Sequence, residues 1–382
     1  MDSHLPVVDL APLVDCEDFT SEAVQDTCKQ IASCIVRTGC LLVRDPRVGQ
    51  GDSDVFLDTM ERYFAQPPEV KQADARPDLA YQVGVTPEGV EIPRAAVDPA
   101  CLAGAASLPQ EHRPSPCNGP DPKWRFLWGV GPRPDTTAYP HLNSKEQVVP
   151  AAFPEWRAVM DAWGTKMLAA VHTAARGLAV GLGLAPTALT DFMERGPHLL
   201  APTGCDLSRH NAPGTVFAGF HYDMNLLTIH GRSRYPGLHA WLRDGRRVPV
   251  VVPPGCLLLQ AGRQLEWLTA GAAAAGFHEV VLTEATQEAM RRAEAEGRPL
   301  WRVSSTVFAH VASDRALEPL MSAEGAAAAR AAHGVPAGAR GVGEREEYPR
   351  TLAGEYVDSE LAVIALSRQR AKEKEKPEAG DA

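Results

Sequence analysis

The sequence has no cysteine pattern of the kind that holds zinc or forms a redox pair. Its eight cysteines contain no C-x-x-C pair and no metal-finger spacing. Several lie in apolar runs, which indicates buried, reduced thiols in a cytosolic protein rather than disulfides. The cysteines are Cys16, Cys28, Cys34, Cys40, Cys101, Cys117, Cys205 and Cys256.

Long apolar runs and blocks of positive charge are also missing. No uninterrupted apolar run approaches the roughly 20 residues that a bilayer span requires. Residues 1–6 have neither the basic start nor the apolar stretch of a signal peptide. The formal net charge is -10, and no Lys/Arg block offsets it, which disfavours nucleic acids and anionic membranes as partners. We therefore expect a cytoplasmic protein, and a monomer.

The first half of the chain contains two clear helical patterns. After a short strand over residues 5–10, apolar residues at three- and four-residue spacing predict a helix over 21–38. A longer stripe predicts a helix over 155–182 that packs on a sheet; it contains Met160, Trp163, Met167, Val171, Ala174 and Leu178. Between these helices, residues 76–154 are rich in Pro and Gly and indicate long loops with short strands, and some of the loops would cover a pocket.

Between residues 215 and 309, short β-rich runs alternate with turn signals such as Asp244-Gly245. Seven or eight short strands at this spacing predict a closed sandwich or jelly roll rather than a parallel sheet, in an α+β fold with flanking helices. A charged helical segment at 284–297 has the character of an insertion between strands. We divide the chain into an N-terminal region (1–200), the jelly-roll core (201–320), an Ala/Gly-rich linker (321–346), a C-terminal helix (347–369) and a disordered tail (370–382).

His221-Tyr-Asp223 is the one H-x-D/E pattern in the chain. On a strand, residues i and i+2 point to the same side, so the imidazole and the carboxylate would face inward together. His278, which opens a later apolar run, is the candidate for a third ligand. Two His and one carboxylate leave positions on iron open for a co-substrate and O2. His230, His239 and His310 also lie on expected strands and are the competing candidates.

Arg302 and Ser304 form a second pair at i, i+2 on an expected strand. Arginine offers a planar fork for a carboxylate, and the serine hydroxyl adds a donor beside it. A buried arginine needs an anionic partner, because leaving it unpaired costs several kcal/mol. A bound dicarboxylate would meet that need, and so would a salt bridge to a core Asp or Glu.

Taken together, these patterns resemble the isopenicillin N synthase-like branch of the 2-oxoglutarate- and Fe(II)-dependent dioxygenases, almost end to end. The N-terminal similarity includes Leu5-Pro-Val-Val-Asp-Leu10, Thr38-Gly39 and Phe64-Ala-Gln-Pro67 with Glu69 and Lys71. In the core, Gly219-Phe-His221-Tyr-Asp223 precedes Gly262, Leu265-Glu266, Thr269, Gly271 and His278 in the family's order. Tyr348-Pro349 and Gly354-Glu355-Tyr356 resemble the family's C-terminal helix entry.

The resemblance implies that the core is a double-stranded β-helix, a cupin-like jelly roll flanked by helices. It implies Fe(II) held by His221, Asp223 and His278, and 2-oxoglutarate held at its distal carboxylate by Arg302 and Ser304. It further implies O2-dependent oxidation of a small molecule, by hydroxylation, desaturation or ring chemistry, with release of succinate and CO2. Ascorbate is a candidate reductant. Asn211 is a further expected contact of the co-substrate. Expected substrate contacts are Phe308, Trp267, Tyr222 and Met224, with Tyr81, Arg94 and Trp128 as further candidates; for each, core packing is at least as good an explanation.

The sequence departs from the family pattern at three points. The family's Asn-x-Tyr element before the first ligand is represented by Asn211 without its tyrosine. Arg263 replaces the usual acidic residue, and the 284–297 segment lengthens the step from His278 to Arg302. Two alternatives therefore stay open: an Fe(II) oxidase of the same fold that does not use 2-oxoglutarate, and a non-catalytic ligand-binding protein on this fold.

Overall fold

The protein is a mixed α/β structure with a large, mainly antiparallel sheet, and a computed structural model describes residues 5–117, 119–364 and 366. The strands are β1 (Val7–Asp9), β2 (Cys40–Arg44), β3 (Gly84–Thr86), β4 (Trp124–Gly129), β5 (Leu199–Leu200), β6 (Thr203–Asp206), β7 (Val216–Tyr222), β8 (Leu227–His230), β9 (Leu238–Trp241), β10 (Arg247–Pro249), β11 (Leu257–Ala261), β12 (Phe277–Val281), β13 (Trp301–Ser304), β14 (Thr306–Ala309), β15 (Ala316–Leu317) and β16 (Thr351–Leu352). The helices are α1 (Glu22–Thr38), α2 (Gln50–Phe64), α3 (Pro68–Gln72), α4 (Arg94–Val97), α5 (Pro99–Ser107), α6 (Trp156–Gly181), α7 (Thr190–Met193), α8 (Arg263–Leu268), α9 (Glu284–Ala295), α10 (Ala323–Ala332) and α11 (Ala353–Val363).

The strands form two main sheets and one short pair. The large sheet has ten strands in the order β1-β2-β11-β8-β14-β5-β4-β6-β13, with β3 paired to β4. The small sheet has four strands in the order β10-β9-β12-β7, and β15 pairs with β16. The pair β1–β2 is parallel, and the other pairs of both main sheets are antiparallel.

The core forms where α1, α2 and α6 cover the large sheet. The stripe predicted on α6 is buried along its whole length, which confirms that this face packs rather than binds a cofactor. Helices α1 and α6 approach closely because glycines lie at their contact. A Cβ at Gly181 would lie 2.3 Å from the carbonyl oxygen of Cys28, and one at Gly177 would lie 2.6 Å from Leu13.

Helix α1 ends where the sequence predicts, because Gly39 adopts the left-handed conformation (φ 73°) and its N–H bonds to the Ile35 carbonyl. The charged segment after β12 is a helix, α9, as predicted. Its apolar residues Ala289, Met290 and Ala293 pack with Phe217 and Leu282 against the small sheet. The eight cysteines are free thiols, as their spacing indicated.

Three parts of the chain differ from the sequence-based expectation. The stretch over 76–154, expected as long loops with short strands, contains the short strands β3 and β4 and also two helices, α4 and α5. The expected strand that carries Arg302 and Ser304 is followed directly by a separate strand, so this β-rich run is divided into β13 and β14; the Ser305 carbonyl between them accepts the Gly231 N–H at 2.8 Å. The expected linker at 321–346 contains α10, which the Ser322 side chain caps by accepting from the Gly325 N–H.

The C-terminal helix ends at Val363, earlier than expected, and the expected tail at 370–382 lies outside the described residues. Within the part of the chain that the structure describes, no helix has the length and apolar character needed to cross a membrane.

We predict that Gly181→Ala destabilises the protein, because the new methyl group meets the backbone of α1 rather than a flexible side chain. Overpacking of this kind costs roughly 1–3 kcal/mol in the free energy of unfolding. Urea denaturation measures the change. The control is Gly51→Ala in α2, where a Cβ meets nothing within 4 Å; equal loss in both variants would contradict the proposed close contact of α1 and α6.

Candidate metal centre

His221 and His278 face each other across a pair of antiparallel strands. In the register of β7 and β12, His278 lies directly opposite His221. Their ring centroids are 4.2 Å apart, and the ring planes are inclined by 50°. The strand pairing therefore brings together two imidazoles that are 57 positions apart, by subtraction of the residue numbers.

Both imidazoles are held through the same ring nitrogen. The Nδ1 atom of His221 lies 2.6 Å from the Gly219 carbonyl oxygen, and that of His278 lies 3.3 Å from the Gly276 carbonyl oxygen. A carbonyl only accepts hydrogen bonds, so Nδ1 carries the proton in each ring. The Nε2 atoms are left as lone-pair donors, which is the tautomer that a metal ligand requires.

Asp223 completes the group immediately after β7. Its Oδ1 atom lies 3.9 Å from Nε2 of His221 and 3.9 Å from Nε2 of His278. The three ligand atoms all lie within 4.8 Å of one another, and the three side chains are the one such group found among the described residues. The structure therefore brings together the three residues that the sequence offers as metal ligands.

The start of α8 fixes the backbone around Asp223. The Arg263 N–H donates to the Asp223 carbonyl at 2.8 Å, and the Gly262 N–H donates to Leu226 at 3.0 Å. A Cβ at Gly262 would lie 1.9 Å from the Asn225 carbonyl oxygen, so this contact needs glycine. The sequence patterns do not predict helix α8, although Gly262 and Leu265-Glu266 belong to the motif order that resembles the family.

Glu266 of α8 supports the turn that leads to His278. Its carboxylate is fully buried, pairs with Arg263, and accepts the Ala275 N–H at 2.9 Å and the Tyr348 hydroxyl at 3.1 Å. Arg263 also lies 4.0 Å above the Tyr222 ring. Arg263, the residue that departs from the family pattern, therefore connects the end of β7 to the turn before β12.

A buried ion-pair network reaches the other side of His221. The pairing of β7 with β12 is irregular between His278 and Val280. At this irregularity the Gly219 N–H bonds outside the strand pair. That N–H donates to Asp121 at 3.2 Å, and Asp121 accepts from the Lys123 ammonium at 2.7 Å. Lys123 also donates to Glu91 at 2.9 Å.

Burial acts on His221, and the neighbouring imidazoles act on Asp223, to keep both side chains in the state that binds a cation. Burial, and then the neighbouring His278, lower the pKa of His221 to about 3, so its imidazole is neutral. Burial raises the pKa of Asp223, but the adjacent His278 and His221 outweigh it and the net shift is downward. The Oδ2 atom of Asp223 is buried without a hydrogen-bond partner among the described residues. Two imidazoles and one carboxylate with an unpartnered oxygen fit a divalent metal ion.

The first cavity opens on one side of the three ligands, between the two sheets. It is lined by His278, Ala218 and Val280 from the small sheet and by His230, Thr203, Cys205, Arg302, Ser304 and Thr306 from the large sheet. Arg302 and Ser304 face it together because alternate residues of β13 point to one side. Trp301, on the opposite side, stacks on Phe64.

Arg302 is 5% exposed and has no hydrogen bond or ion pair with any described residue. Burial lowers the pKa of its guanidinium, and the one opposing influence is the neighbouring Cys205. The salt bridge to a core carboxylate that the sequence left open is therefore not made by the described residues. An arginine buried in this way requires an anion from outside the chain.

The second cavity is lined by His221 and Asp223 but not by His278, and it shares Lys123, Arg125 and Phe308 with the first as well. Three of the expected substrate contacts line it: Tyr222, Met224 and Phe308, together with Arg94. Lys123 and Arg125 were not among the residues expected from the sequence. In Lys123-Trp-Arg125-Phe, charged and aromatic residues alternate. This alternation indicates a strand with one polar face, and it is the signal in the sequence that could have identified both residues.

Four expected contacts lie elsewhere. Asn211 is an exposed loop residue that donates to the Ser208 carbonyl at 3.3 Å, so it reaches neither cavity. Trp267 is buried against Tyr348 and Tyr356, with Arg345 above its ring, and is a packing residue. Tyr81 and Trp128 are buried outside both cavities.

The competing histidines do not join the three ligands. His230 lines the first cavity, but its Nδ1 atom lies 3.0 Å from the Thr306 hydroxyl and its ring centroid lies 6.0 Å from that of His278. His239 lies on β9, where its ring bonds to the Gly237 carbonyl. His310 lines the second cavity, away from the ligand atoms.

No protein-family model matches the sequence, and neither does any curated protein. Solved structures do match. A 2OG-Fe(II) oxygenase family protein from Caulobacter crescentus aligns with TM-score 0.66 and 20% identity over 95% of this chain and 100% of the other. A full-length Neurospora crassa protein in complex with alpha-KG aligns with TM-score 0.65 and 18% identity over 94% of this chain and 97% of the other. The dioxygenase for auxin oxidation from rice aligns with TM-score 0.59 and 16% identity over 95% and 99% of the two chains.

These identities are low, while the alignments extend over nearly the whole of each chain. The protein therefore has the fold of the 2OG-Fe(II) oxygenases.

Proposed function

We propose that the protein is a non-haem Fe(II)- and 2-oxoglutarate-dependent dioxygenase that oxidises a small molecule. His221, Asp223 and His278 would hold Fe(II), and Arg302 with Ser304 would hold the distal carboxylate of 2-oxoglutarate. The observation that carries the proposal is the unpaired, buried guanidinium of Arg302 in the cavity that the three ligands also line.

The chemistry of this cavity supports a dicarboxylate rather than a single anion. One carboxylate would pair with Arg302, and Ser304 and Thr306 offer hydroxyls along the same wall. The other end of the molecule would reach the side of the metal ligands. An acid with one carboxylate would leave either the guanidinium or the metal side without its partner, at a cost of several kcal/mol.

We further propose that the two sheets form a double-stranded β-helix of the isopenicillin N synthase-like type. The first cavity supports this arrangement, because strands of both sheets line it from opposite sides. The order of motifs from Gly219 to Gly271 supports the same branch.

The residues present fit iron, which would supply the redox chemistry by which O2 converts 2-oxoglutarate to succinate and CO2 and oxidises the substrate. The chain's own contribution is positional. The two Nδ1–H bonds orient the imidazoles, the α8 backbone orients Asp223, and Arg302 fixes the co-substrate at the far end. The second cavity, which His221 and Asp223 also line, would hold the substrate.

We predict that His278→Ala lowers the affinity for Fe(II) at least about 100-fold, because it removes one of three ligands. Anaerobic calorimetric titration of the purified protein measures this affinity. The matched control is His239→Ala on the neighbouring strand β9, which we expect to bind Fe(II) as the wild type does. Unchanged Fe(II) affinity in His278→Ala would refute the ligand assignment.

We also predict that Arg302→Ala weakens binding of 2-oxoglutarate to the Fe(II)-loaded protein roughly 30-fold or more, since it removes one partner of a buried charge pair. The 2-oxoglutarate affinity of Arg302→Lys should lie between those of the wild type and Arg302→Ala, because lysine keeps the positive charge and lacks the planar guanidinium. The control is Arg176→Ala on α6, where the guanidinium covers Phe19 outside both cavities.

The same titrations separate the alternatives. Fe(II) binding without 2-oxoglutarate binding would support the Fe(II) oxidase, which the exposed position of Asn211 and the missing tyrosine favour. Failure to bind Fe(II) at all would support a ligand-binding protein without turnover. Ascorbate would serve as a reductant that maintains Fe(II). Its effect is measured as the yield of succinate from the Fe(II)-loaded protein with and without ascorbate.

A further inference from the structure

The charged residues of the second cavity differ from Arg302, because each is already paired with a residue of opposite charge. Lys123 pairs with Asp121 at 2.7 Å and with Glu91 at 2.9 Å, and Arg125 pairs with Glu91 at 3.1 Å. Two cations thus face two carboxylates, and all four residues line the cavity. An added charge would have no counter-charge in this network.

The remaining cation of the cavity is also neutralised. Arg94 pairs with Asp98 at 2.8 Å and with Glu360 at 2.5 Å. Its guanidinium also lies 4.7 Å from the centre of the Tyr222 ring. An anionic substrate would therefore have to compete with carboxylates of this chain for Arg94, Lys123 or Arg125.

Most of the remaining wall of the second cavity is apolar. It is formed by side chains from the strands of the large sheet, the loop after β7 and the C-terminal helix region. These are Ile92, Leu127, Leu199, Met224, Leu361 and Leu366. A buried wall of this composition favours a ligand whose body is hydrocarbon or aromatic.

Five residues that line this cavity have a buried polar atom without a hydrogen-bond partner among the described residues. Three are Glu91 (Oε2, which is ion-paired with Arg125), Asp223 (Oδ2) and His310 (Nδ1). The other two are the hydroxyl of Thr86 and the Nε–H of Arg125. The two residues are directly opposite each other on the paired strands β3 and β4. Opposed residues of a strand pair have Cβ atoms roughly 4.5–5.5 Å apart, close enough for one ligand group to meet both. Both groups can donate to a single oxygen.

We propose that the substrate is an uncharged, mainly apolar small molecule with a carbonyl-type oxygen that accepts hydrogen bonds from Thr86 and Arg125. The inference rests on the proposed function, since it takes the second cavity as the substrate site. Arg302 serves as the internal comparison: the first cavity has an unpaired cation and suits an anion, whereas the cations of the second cavity are paired and suit a neutral group.

The test uses full-length protein loaded with Mn(II) and 2-oxoglutarate without O2. The probes are matched triplets of small molecules in which one apolar skeleton carries a carboxylic acid, a primary amide or a primary amine. Ligand-observed NMR measures binding, and relaxation by Mn(II) selects the molecules that bind beside His221, Asp223 and His278. We expect the amide of a triplet to bind about tenfold more tightly than the acid or the amine, as an uncompensated buried charge is costly.

Two isosteric variants sharpen the test. Thr86→Val should weaken amide binding by several-fold to about tenfold, the effect of one lost hydrogen bond. Glu91→Gln removes a carboxylate from the balanced network, so it should move the preference towards the acid by about tenfold or more. The control is Glu88→Gln, whose carboxylate pairs with His210 and Arg209 outside both cavities and should change neither preference.

Preferential binding of acids or amines by the wild type would overturn the proposal, and so would the absence of any Mn(II)-relaxed amide. A failure of the proposed function is distinguished from a failure of this inference at the loading step, because Mn(II) or 2-oxoglutarate would then not bind to the protein. In that case saturation-transfer NMR on the metal-free protein still compares the triplets, with Thr86→Val identifying those that bind in the second cavity. The same preference for amides is then expected, and its absence counts against the inference.

Discussion

The antiparallel pairing of β7 with β12 is the constraint on which the rest of the candidate site depends. It sets His221 opposite His278, and a shift of one residue would turn one imidazole to the other face of the sheet. The carbonyls of Gly219 and Gly276 then fix both rings through Nδ1. The relative position of the two imidazoles thus follows from backbone register, which is more rigid than any contact between side chains.

Two supports hold this register from outside the sheet. On one side, the start of α8 binds the Asp223 backbone, and Glu266 braces the turn before His278. On the other side, the Lys123–Asp121 pair binds the Gly219 N–H that the strand irregularity releases. Buried ion pairs contribute little net stability, so their value here is positional.

The sequence predicted the parts of the site that local pattern determines. His221 and Asp223 follow from i, i+2 spacing, Arg302 and Ser304 from the same rule, and His278 from its place at the start of an apolar run. The α6 stripe and the end of α1 at Gly39 likewise follow from periodicity and from the conformational freedom of glycine. Family resemblance, rather than spacing, joined these separate patterns into one site.

The errors have physical causes of a different kind. Asn211 was expected at the co-substrate by analogy, but the structure gives it a local hydrogen bond to Ser208 and an exposed position. Trp267 has the size of a pocket residue and packs instead against tyrosines from the C-terminal segment. The Lys123–Glu91–Arg125 network joins segments 30 or more positions apart, and no local pattern encodes such a pairing.

The two cavities that meet at His221 and Asp223 divide the site by charge, with an unpaired arginine on one side and paired cations on the other. This division has meaning only if the three ligands bind one metal ion together. Pulsed EPR of the Cu(II)-loaded protein tests that directly, because it counts the imidazoles bound to the ion. We predict two imidazoles in the wild type and one in His221→Ala; the same count in both proteins, or none in the wild type, would contradict the shared metal site.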